Sequence, residues 1–523
     1  MASTSSAPAA APQTATGAAG HLGERRLTTL HAIGQTLAIG PIFSAGALLG
    51  LVAGVAGFNT PLSVLLGGIG ALGLAYVISL YARRFSGAGA IYEYLTHGAH
   101  PSVGVFCAGL YFVGMLFLGG GGVFIAIGFL TEGFFTAHWS AIGVDWWIWG
   151  AIGLLITVGL NHWGVRIAIE GVLTLAFLSA VPFLILAVAI IAKGGADTNT
   201  LSVFDPGQTS LNDVFNGILF AVTLFIGFEI AASIGEETRD PKRSIPIAVM
   251  GSVAIVSIFY LLVSYAGTIG FGVKDIAKWP ADPSPMGTLA NQYVGNWLSV
   301  IVDLVIPLDA LSVAIAFTVG ASRGFFALGR DGLLPRALAT TSRHDTPLGG
   351  NVVILVSGIL FLIFGAVTSY GDAVKLPNEI EAFTISAATG SYLIELIYVI
   401  LAVVALRLVW QLPDRSKLWW RVPLVLIGLA TPVLAYKGSL DPWPKYPANR
   451  GIIFALVALG VVAVWFAYLR LRHPDRIAVA AAHAAEHEGV PPLDETLQFQ
   501  PAAEPGLGEA TPRDVDPPRS DHD

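Results

Sequence analysis

The sequence predicts an all-α integral membrane protein with about twelve transmembrane helices. Of its 523 residues, 54% are hydrophobic and only 12% are charged, which is about half the charged fraction of a soluble domain. The mean hydropathy is +0.70. These values exclude a soluble enzyme, a nucleic-acid-binding protein and a disordered chain.

The apolar residues fall into twelve runs, each near the length of about 20 residues that crosses a bilayer. They lie near 28–54, 61–81, 104–131, 146–161, 166–192, 213–236, 245–271, 296–322, 350–369, 380–406, 421–436 and 452–470. If both termini are cytoplasmic, the inner segments hold 19 basic residues and the outer loops hold 7. Such a bias supports inner termini and an even number of spans.

These runs divide the chain into five parts. We expect 1–24 to be a disordered cytoplasmic tail, 25–200 and 201–410 to be two five-helix units, 411–472 to be two peripheral helices, and 473–523 to be a second disordered tail. The last part carries 11 acidic and 3 basic residues. The net charge of −7 therefore describes a solvated tail and not a preference for a substrate.

The first run is interrupted by the Gly40-Pro41 step. Proline disfavours helical geometry at the residue before it but suits the first turn of a new helix. One half-helix is therefore predicted to end near Ile39 and a second to begin at Pro41. The backbone amides after the break would lie free in mid-membrane, at the positive end of a helix dipole that suits a carboxylate. These are the amides of Ile42, Phe43 and Ser44. An ordinary proline kink is the alternative.

The sixth run contains a second interruption, at Gly227 beside Glu229. An acidic residue in mid-span is costly unless it faces a cavity or a partner. Broken helices in corresponding positions of two halves point to the central site of a transporter. The first and sixth runs begin the two five-helix units, so the two breaks together favour transport over simple kinks.

Three motifs resemble those of the amino acid–polyamine–organocation superfamily of permeases. The most specific is Phe225–Pro246, FIGFEIAASIGEETRDPKRSIP, which is similar to the family's sixth helix and the loop after it. Ser322–Pro335, SRGFFALGRDGLLP, resembles the cytoplasmic end of the eighth helix, and Ser86–Tyr92, SGAGAIY, resembles the segment after the second. The resemblance covers about residues 25–472. It implies five-plus-five inverted repeats with discontinuous helices 1 and 6, followed by two peripheral helices.

The resemblance also implies where a substrate binds. In such permeases the substrate carboxylate lies at the amides of the second half-helix and the amine at unwound carbonyls, here near Ile39 and Phe225, with Phe228 as a gate. The substrate-binding residues expected on this basis are Ile39, Gly40, Pro41, Ile42, Phe43, Ser44, Phe225, Gly227, Phe228 and Asp309. One departure is that Ile39-Gly40-Pro41 stands where many members have Gly-x-Gly, which stiffens the loop and removes one amide.

Four acidic residues within the spans are candidates for coupling or selectivity. Glu229 is the first choice for a proton-coupling group, and a hydrogen-bonded structural role is the alternative. Asp309 precedes Arg323 by 14 residues, roughly 21 Å along a helix, which places it near mid-membrane. It would contact a substrate amine, carry a second proton, or pair with a neighbouring helix without a role in transport. Asp303 is expected in an outer vestibule, and a structural role is favoured for Glu395.

Charged residues after the sixth run predict an inner gate. Glu236, Glu237, Arg239 and Arg243 form a cluster of opposite charges that we expect to pair at the cytoplasmic end.

Coupling to protons or exchange is favoured over coupling to sodium. The interior of the fifth helix, 171–192, has no lysine that would replace a sodium ion, and Ser312 and Thr318 lie six residues apart, so a sodium site is not evident.

Arg166 and Glu170 are four residues apart, and this spacing predicts a local salt bridge.

The leading interpretation is a proton-coupled secondary transporter of amino acids or related amines in the plasma membrane. A polyamine or organic-cation permease, an exchanger and a transport-deficient sensor of the same fold remain alternatives. A membrane enzyme and a channel are disfavoured, because the sequence has no HExxH-like cluster and no repeated filter loop. The expected partners are a small-molecule substrate, protons and the bilayer, with no cofactor, no metal and no nucleic acid.

Overall fold

In a computed structural model, the chain folds into a bundle of helices. The structure describes residue 22 and residues 25–367, 377–412, 415–441 and 443–486. Within these ranges, extended pairing is limited to two isolated bridges. The predicted all-α class is confirmed. Most of the two predicted tails lies outside the described residues.

The α-helices follow the predicted runs closely. They are Thr29–Thr36, Pro41–Phe43, Leu49–Ala56, Thr60–Ala82, Ile91–Gly98, Pro101–Phe117, Val123–His138, Trp146–Trp163, Val165–Ala192, Leu211–Thr223, Pro241–Asp275, Pro285–Tyr293, Asn296–Arg330, Leu348–Val367, Asn378–Trp410, Leu418–Leu440, Ala448–Arg472 and Pro474–Glu486. Shorter 3₁₀ and π turns connect or interrupt them, notably Leu37–Ile39, Ser44–Leu48, Gly57–Asn59, Leu118–Gly122 and Phe228–Ile234.

Ten stretches of the described chain are long and apolar enough to cross a membrane. The first, Thr29–Ala82, contains two predicted helices, separated where Gly57 takes a positive φ of 53°. The predicted fourth helix forms as Trp146–Trp163 but is not among the ten. Each of the twelve predicted runs therefore corresponds to a helix, and we number the transmembrane segments one to twelve in that order.

Segments one and six are both broken, as predicted. In segment one a 3₁₀ turn ends at Ile39, Gly40 is left-handed at φ 61° and ψ 68°, and helix resumes at Pro41. In segment six the helix ends at Thr223, and Gly227, at φ 118°, precedes a 3₁₀ stretch. Positive φ is accessible to glycine at little cost, which explains the residue at each break.

The two breaks lie against each other. A Cβ at Gly227 would lie 2.9 Å from the carbonyl oxygen of Ala38, and a Cβ at Gly40 would overlap the Val313 side chain of segment eight. Both breaks are therefore packed among neighbours that only a glycine accommodates.

Segment eight is central, whereas the last two segments face outward. In the apolar 18-residue stretch of Asn296–Arg330, 67% is buried inside the protein. The corresponding share is 33% in segment eleven and 22% in segment twelve. The run Gly119–Gly122 packs closely against neighbours, because a Cβ at Gly119 would overlap Phe317 and one at Gly121 would overlap Phe361.

One predicted tail is partly ordered. Pro474–Glu486 forms a helix where the composition predicted disorder. Its Arg476 donates to the Gly332 carbonyl at 3.1 Å and Ala480 is buried, so tertiary contacts stabilise a segment that its composition alone would leave unfolded.

Candidate functional site

The amides exposed by the first break bind a carboxylate of the protein itself. The backbone N–H groups of Ile42 and Phe43 each donate to Oδ2 of Asp309 at 2.9 Å. Ser312 donates to the other oxygen, Oδ1, at 3.2 Å. Asp309 belongs to segment eight and is fully buried. The second half-helix of segment one is thus capped from another segment.

This arrangement corrects the expectation of three free amides. The third amide, that of Ser44, donates to the Gly40 carbonyl at 2.8 Å. The Ser44 hydroxyl donates to the Ile39 carbonyl at 3.1 Å, one of the two carbonyls expected to receive a substrate amine. The break does suit a carboxylate, but in this structure that carboxylate is Asp309, because segment eight passes directly beside Gly40.

The second break is capped by its own neighbour in sequence. Oε2 of Glu229 accepts hydrogen bonds from the Gly227 amide at 3.1 Å and from the Tyr398 hydroxyl at 2.6 Å. Oε1 accepts from the Tyr111 hydroxyl at 3.3 Å. Glu229 is fully buried, and these three donors are neutral. The ring of Phe228, the expected gate, packs against that of Tyr398, with 5.9 Å between the ring centroids.

A cavity of about 300 Å³ lies at the two breaks. Its wall is mostly apolar and includes Ala38 from segment one, Ile226 from segment six and Val313 from segment eight. Of the ten predicted substrate-binding residues, those on the wall are Ile39, Phe43 and Ser44. The others are not among the residues that line it: Gly40, Pro41, Ile42, Phe225, Gly227, Phe228 and Asp309.

The cavity wall also carries an acidic side chain from segment ten. Glu395 is 2% exposed, and its Oε1 has no hydrogen-bond partner in the part of the chain that the structure describes. Its position as a lone acid in mid-span was the available sequence signal, and the structural role favoured from the sequence stays a prediction.

Two ion pairs lie at the end of the bundle after segment six, which we call the inner end, and their partners differ from those expected. Glu237 pairs with Arg323 through distances of 2.5 and 3.1 Å, and both side chains are buried. Glu236 pairs with Arg330 at 3.2 Å. Both arginines come from segment eight. The expected partners, Arg239 and Arg243, are exposed, and neither forms an ion pair among the described residues.

The three motifs noted in the sequence meet at this inner end. The Ala88 amide of the Ser86–Tyr92 motif donates to Glu236 at 2.9 Å, and the Tyr92 hydroxyl donates to Asp331 at 2.7 Å. Beside them is Glu93, in the short helix between segments two and three. Burial, and then the nearby Glu236 carboxylate, raise the pKa of Glu93 to about 8.

Two polar pairs lie away from the centre. Arg166 and Glu170 form the predicted salt bridge at 2.7 Å on an exposed face. Asp303 accepts from Ser284 and lies 2.8 Å from His138 Nε2.

The family follows from the whole length of the helical bundle. A family model described as amino acid permease matches residues 27–468. The chain belongs to this amino acid permease family. Members of this family are membrane transporters, and the ten apolar stretches agree with a multi-pass position in a membrane.

Curated relatives and a solved structure agree with this assignment. The branched-chain amino acid permease BcaP of Bacillus subtilis (strain 168) is 29% identical over 169 residues, 31% of this chain and 35% of that protein. A glutamate/gamma-aminobutyrate antiporter of Lactococcus lactis subsp. lactis is 30% identical over 176 residues, 32% of each chain. The aligned stretch thus spans about a third of each relative's length.

The fold is shared with a solved transporter structure. The crystal structure of MhsT in complex with L-phenylalanine matches with a TM-score of 0.50 and 16% identity, covering 79% of this permease and 98% of that chain. This likeness concerns the fold. It agrees with a transporter core whose first and sixth helices are discontinuous, followed by two further helices.

Proposed function

We propose that this permease is a secondary active transporter that moves amino acids or related amines across the plasma membrane by alternating access. The observation that carries the proposal is the cavity of about 300 Å³ at two touching helix breaks. Broken helices in corresponding positions of two halves mark the central site of a transporter. The ion pairs at the inner end support a state closed toward the cytoplasm, and both termini are proposed to be cytoplasmic.

The proposal includes the two five-helix units, 25–200 and 201–410, as inverted repeats that move against each other. The breaks stand in the first segment of each unit, which is the position that such symmetry requires. Opening toward the cytoplasm would then separate Glu236 and Glu237 from the arginines of segment eight.

Protons are the proposed coupling ion, with Glu229 as the coupling group. Its carboxyl group is buried beside the second break and is held by an amide and two hydroxyls. Loss or gain of a proton there changes the charge without breaking a salt bridge, and it acts directly on the backbone at Gly227. The hydrogen-bonded structural role noted from the sequence uses the same contacts. Transport measurements must therefore distinguish the coupling role of Glu229 from the structural one.

The test is uptake by purified protein in liposomes, with and without an inward proton gradient. The substrates are leucine, phenylalanine, glutamate and gamma-aminobutyrate, together with their amine analogues. We expect gradient-driven accumulation of at least one compound, lost in Glu229→Gln and retained in the matched control Glu170→Gln, which changes an exposed glutamate on segment five.

Other results assign the function differently. Accumulation that survives in Glu229→Gln removes the coupling role from Glu229. Uptake that requires a preloaded substrate and no gradient identifies an exchanger. The absence of uptake, counterflow and sodium-driven transport would contradict the carrier function.

A further inference from the structure

The site at which a substrate carboxylate would bind is already filled. An amide has one hydrogen, and the N–H groups of Ile42 and Phe43 both give theirs to Asp309 at 2.9 Å. The third amide, that of Ser44, is used within the break. A substrate carboxylate placed here would lack these donors and would face the Asp309 carboxylate inside the protein, where repulsion between like charges is weakly screened.

The rest of the cavity wall has nothing cationic to bind a carboxylate. The described residues that line it include no lysine, arginine or histidine. Several of its hydroxyls donate to backbone carbonyls: Ser44 to Ile39, Thr223 to Phe220, Thr384 to Ile380 and Tyr392 to Ser439. A carboxylate in this cavity would therefore find no cationic partner and at most the hydroxyls of Ser391 and Ser439, and its desolvation would cost several kcal/mol.

The same wall carries an acidic side chain that suits a cation. The Oε1 atom of Glu395 is buried and unpartnered within the described chain, although buried polar atoms are nearly always hydrogen-bonded. An ammonium group carries three donors and no acceptor. It would give this oxygen a charge-assisted partner, while the apolar wall receives a hydrocarbon body.

We propose that the substrate is a primary amine without a carboxylate, whose ammonium group binds Glu395 while Asp309 takes the place of the missing substrate carboxylate at the first break. The inference rests on the proposed function, because it takes the cavity as the transported substrate's site. A volume of about 300 Å³ is at the lower end for ligand pockets and suits an amine of amino acid size.

The experiment compares amino acids with the amines that they yield when the carboxylate is removed. The pairs are leucine with 3-methylbutylamine and phenylalanine with 2-phenylethylamine. Binding to the full-length protein in detergent is measured by ligand-induced thermal stabilisation and by isothermal titration, and uptake is measured in liposomes. We expect the wild type to bind each amine at least about tenfold more tightly than its amino acid, as loss of charged hydrogen bonds requires.

Three variants assign the two carboxyl groups. Glu395→Gln should weaken amine binding by about 10- to 100-fold. Asp309→Ala frees the two amides and should create measurable amino acid binding. Asp309→Asn is the matched control, because its amide oxygen still accepts from both N–H groups, and it should not admit the amino acid. If Asp309→Ala does not fold, the wild-type pairs and Glu395→Gln still decide.

Each outcome separates the inference from the function on which it rests. Amino acids bound as tightly as the amines, or amine binding unchanged in Glu395→Gln, would overturn the inference and leave a carrier intact if uptake is seen. Amine binding lost in Glu395→Gln without any uptake would support the site and contradict the transport function. Binding of neither member of a pair would overturn the inference.

Discussion

Buried and half-buried carboxyl groups are held in two different ways in the centre and at the inner end of this permease. In the centre, Asp309 and Glu229 accept hydrogen bonds from backbone amides and hydroxyls. At the inner end, Glu237 and Glu236 are paired with the arginines of segment eight. All four are carboxyl groups, but their hydrogen-bond partners differ.

The difference predicts what a substitution changes in each of the two regions. A guanidinium stays charged and makes a bidentate pair that fixes the carboxylate in place. Neutral donors leave the carboxyl group able to change its charge or to exchange its partner. We therefore expect substitutions at the inner end to act mainly on the stability of this closed state and substitutions in the centre to act mainly on selectivity and coupling.

The largest effect should come from breaking the buried pair. Glu237→Gln leaves Arg323 charged, buried and without its carboxylate, and should lower the free energy of unfolding by about 3–5 kcal/mol. Denaturant unfolding in mixed micelles measures it. The double variant Glu237→Leu/Arg323→Met, which removes both charges, should recover most of the loss. A single-variant loss below about 1 kcal/mol would show that this pair is not a structural clasp.

The next effect is a pH dependence at Glu93, the acid in this region that burial holds largely neutral. Its pKa is raised from 4.5 to about 8, so the unfolded chain ionises first as the pH rises. Its stabilising contribution is complete below about pH 4.5 and is lost progressively up to about pH 8, on the order of 1.4 kcal/mol for each pH unit between these two values. Melting temperatures of Glu93→Gln should fall less than those of the wild type across this window. Parallel curves would contradict the assignment.

A smaller effect should appear at the second break. Tyr398→Phe removes the 2.6 Å bond to Glu229 and should cost about 1 kcal/mol, as for a typical buried hydrogen bond. Tyr111→Phe removes the 3.3 Å bond and should cost less, which makes it the internal control. Thermal unfolding of the two variants measures the order. Equal losses would show that the two hydroxyls hold Glu229 equally.

The smallest effect is expected on the exposed face. Glu170→Gln removes the pair with Arg166, whose side chains are 49% and 69% exposed. Exposed pairs contribute about 0.2–1 kcal/mol, so the melting temperature should hardly change. A loss of stability comparable with that of Glu237→Gln would show that burial does not cause the difference between the two ion pairs.

Local patterns in the sequence determined the membrane class, the twelve helices and both breaks. The reason is that each is encoded within a few residues or one turn: an apolar run, the Gly40-Pro41 step, Gly227 beside Glu229, or the four-residue spacing of Arg166 and Glu170. The cap of Glu229 on Gly227 joins residues two apart and follows from the same proximity.

Only the tertiary structure decided which charge meets which partner. The cap at the first break joins Ile42 to Asp309 across 267 residues, and Glu237 meets Arg323 across 86, although nearer arginines were expected. The cavity position of Glu395 likewise depends on how segment ten packs against both breaks. Such pairings depend on which helices become neighbours, and helix contacts are set by the packing of the whole bundle rather than by spacing along one segment.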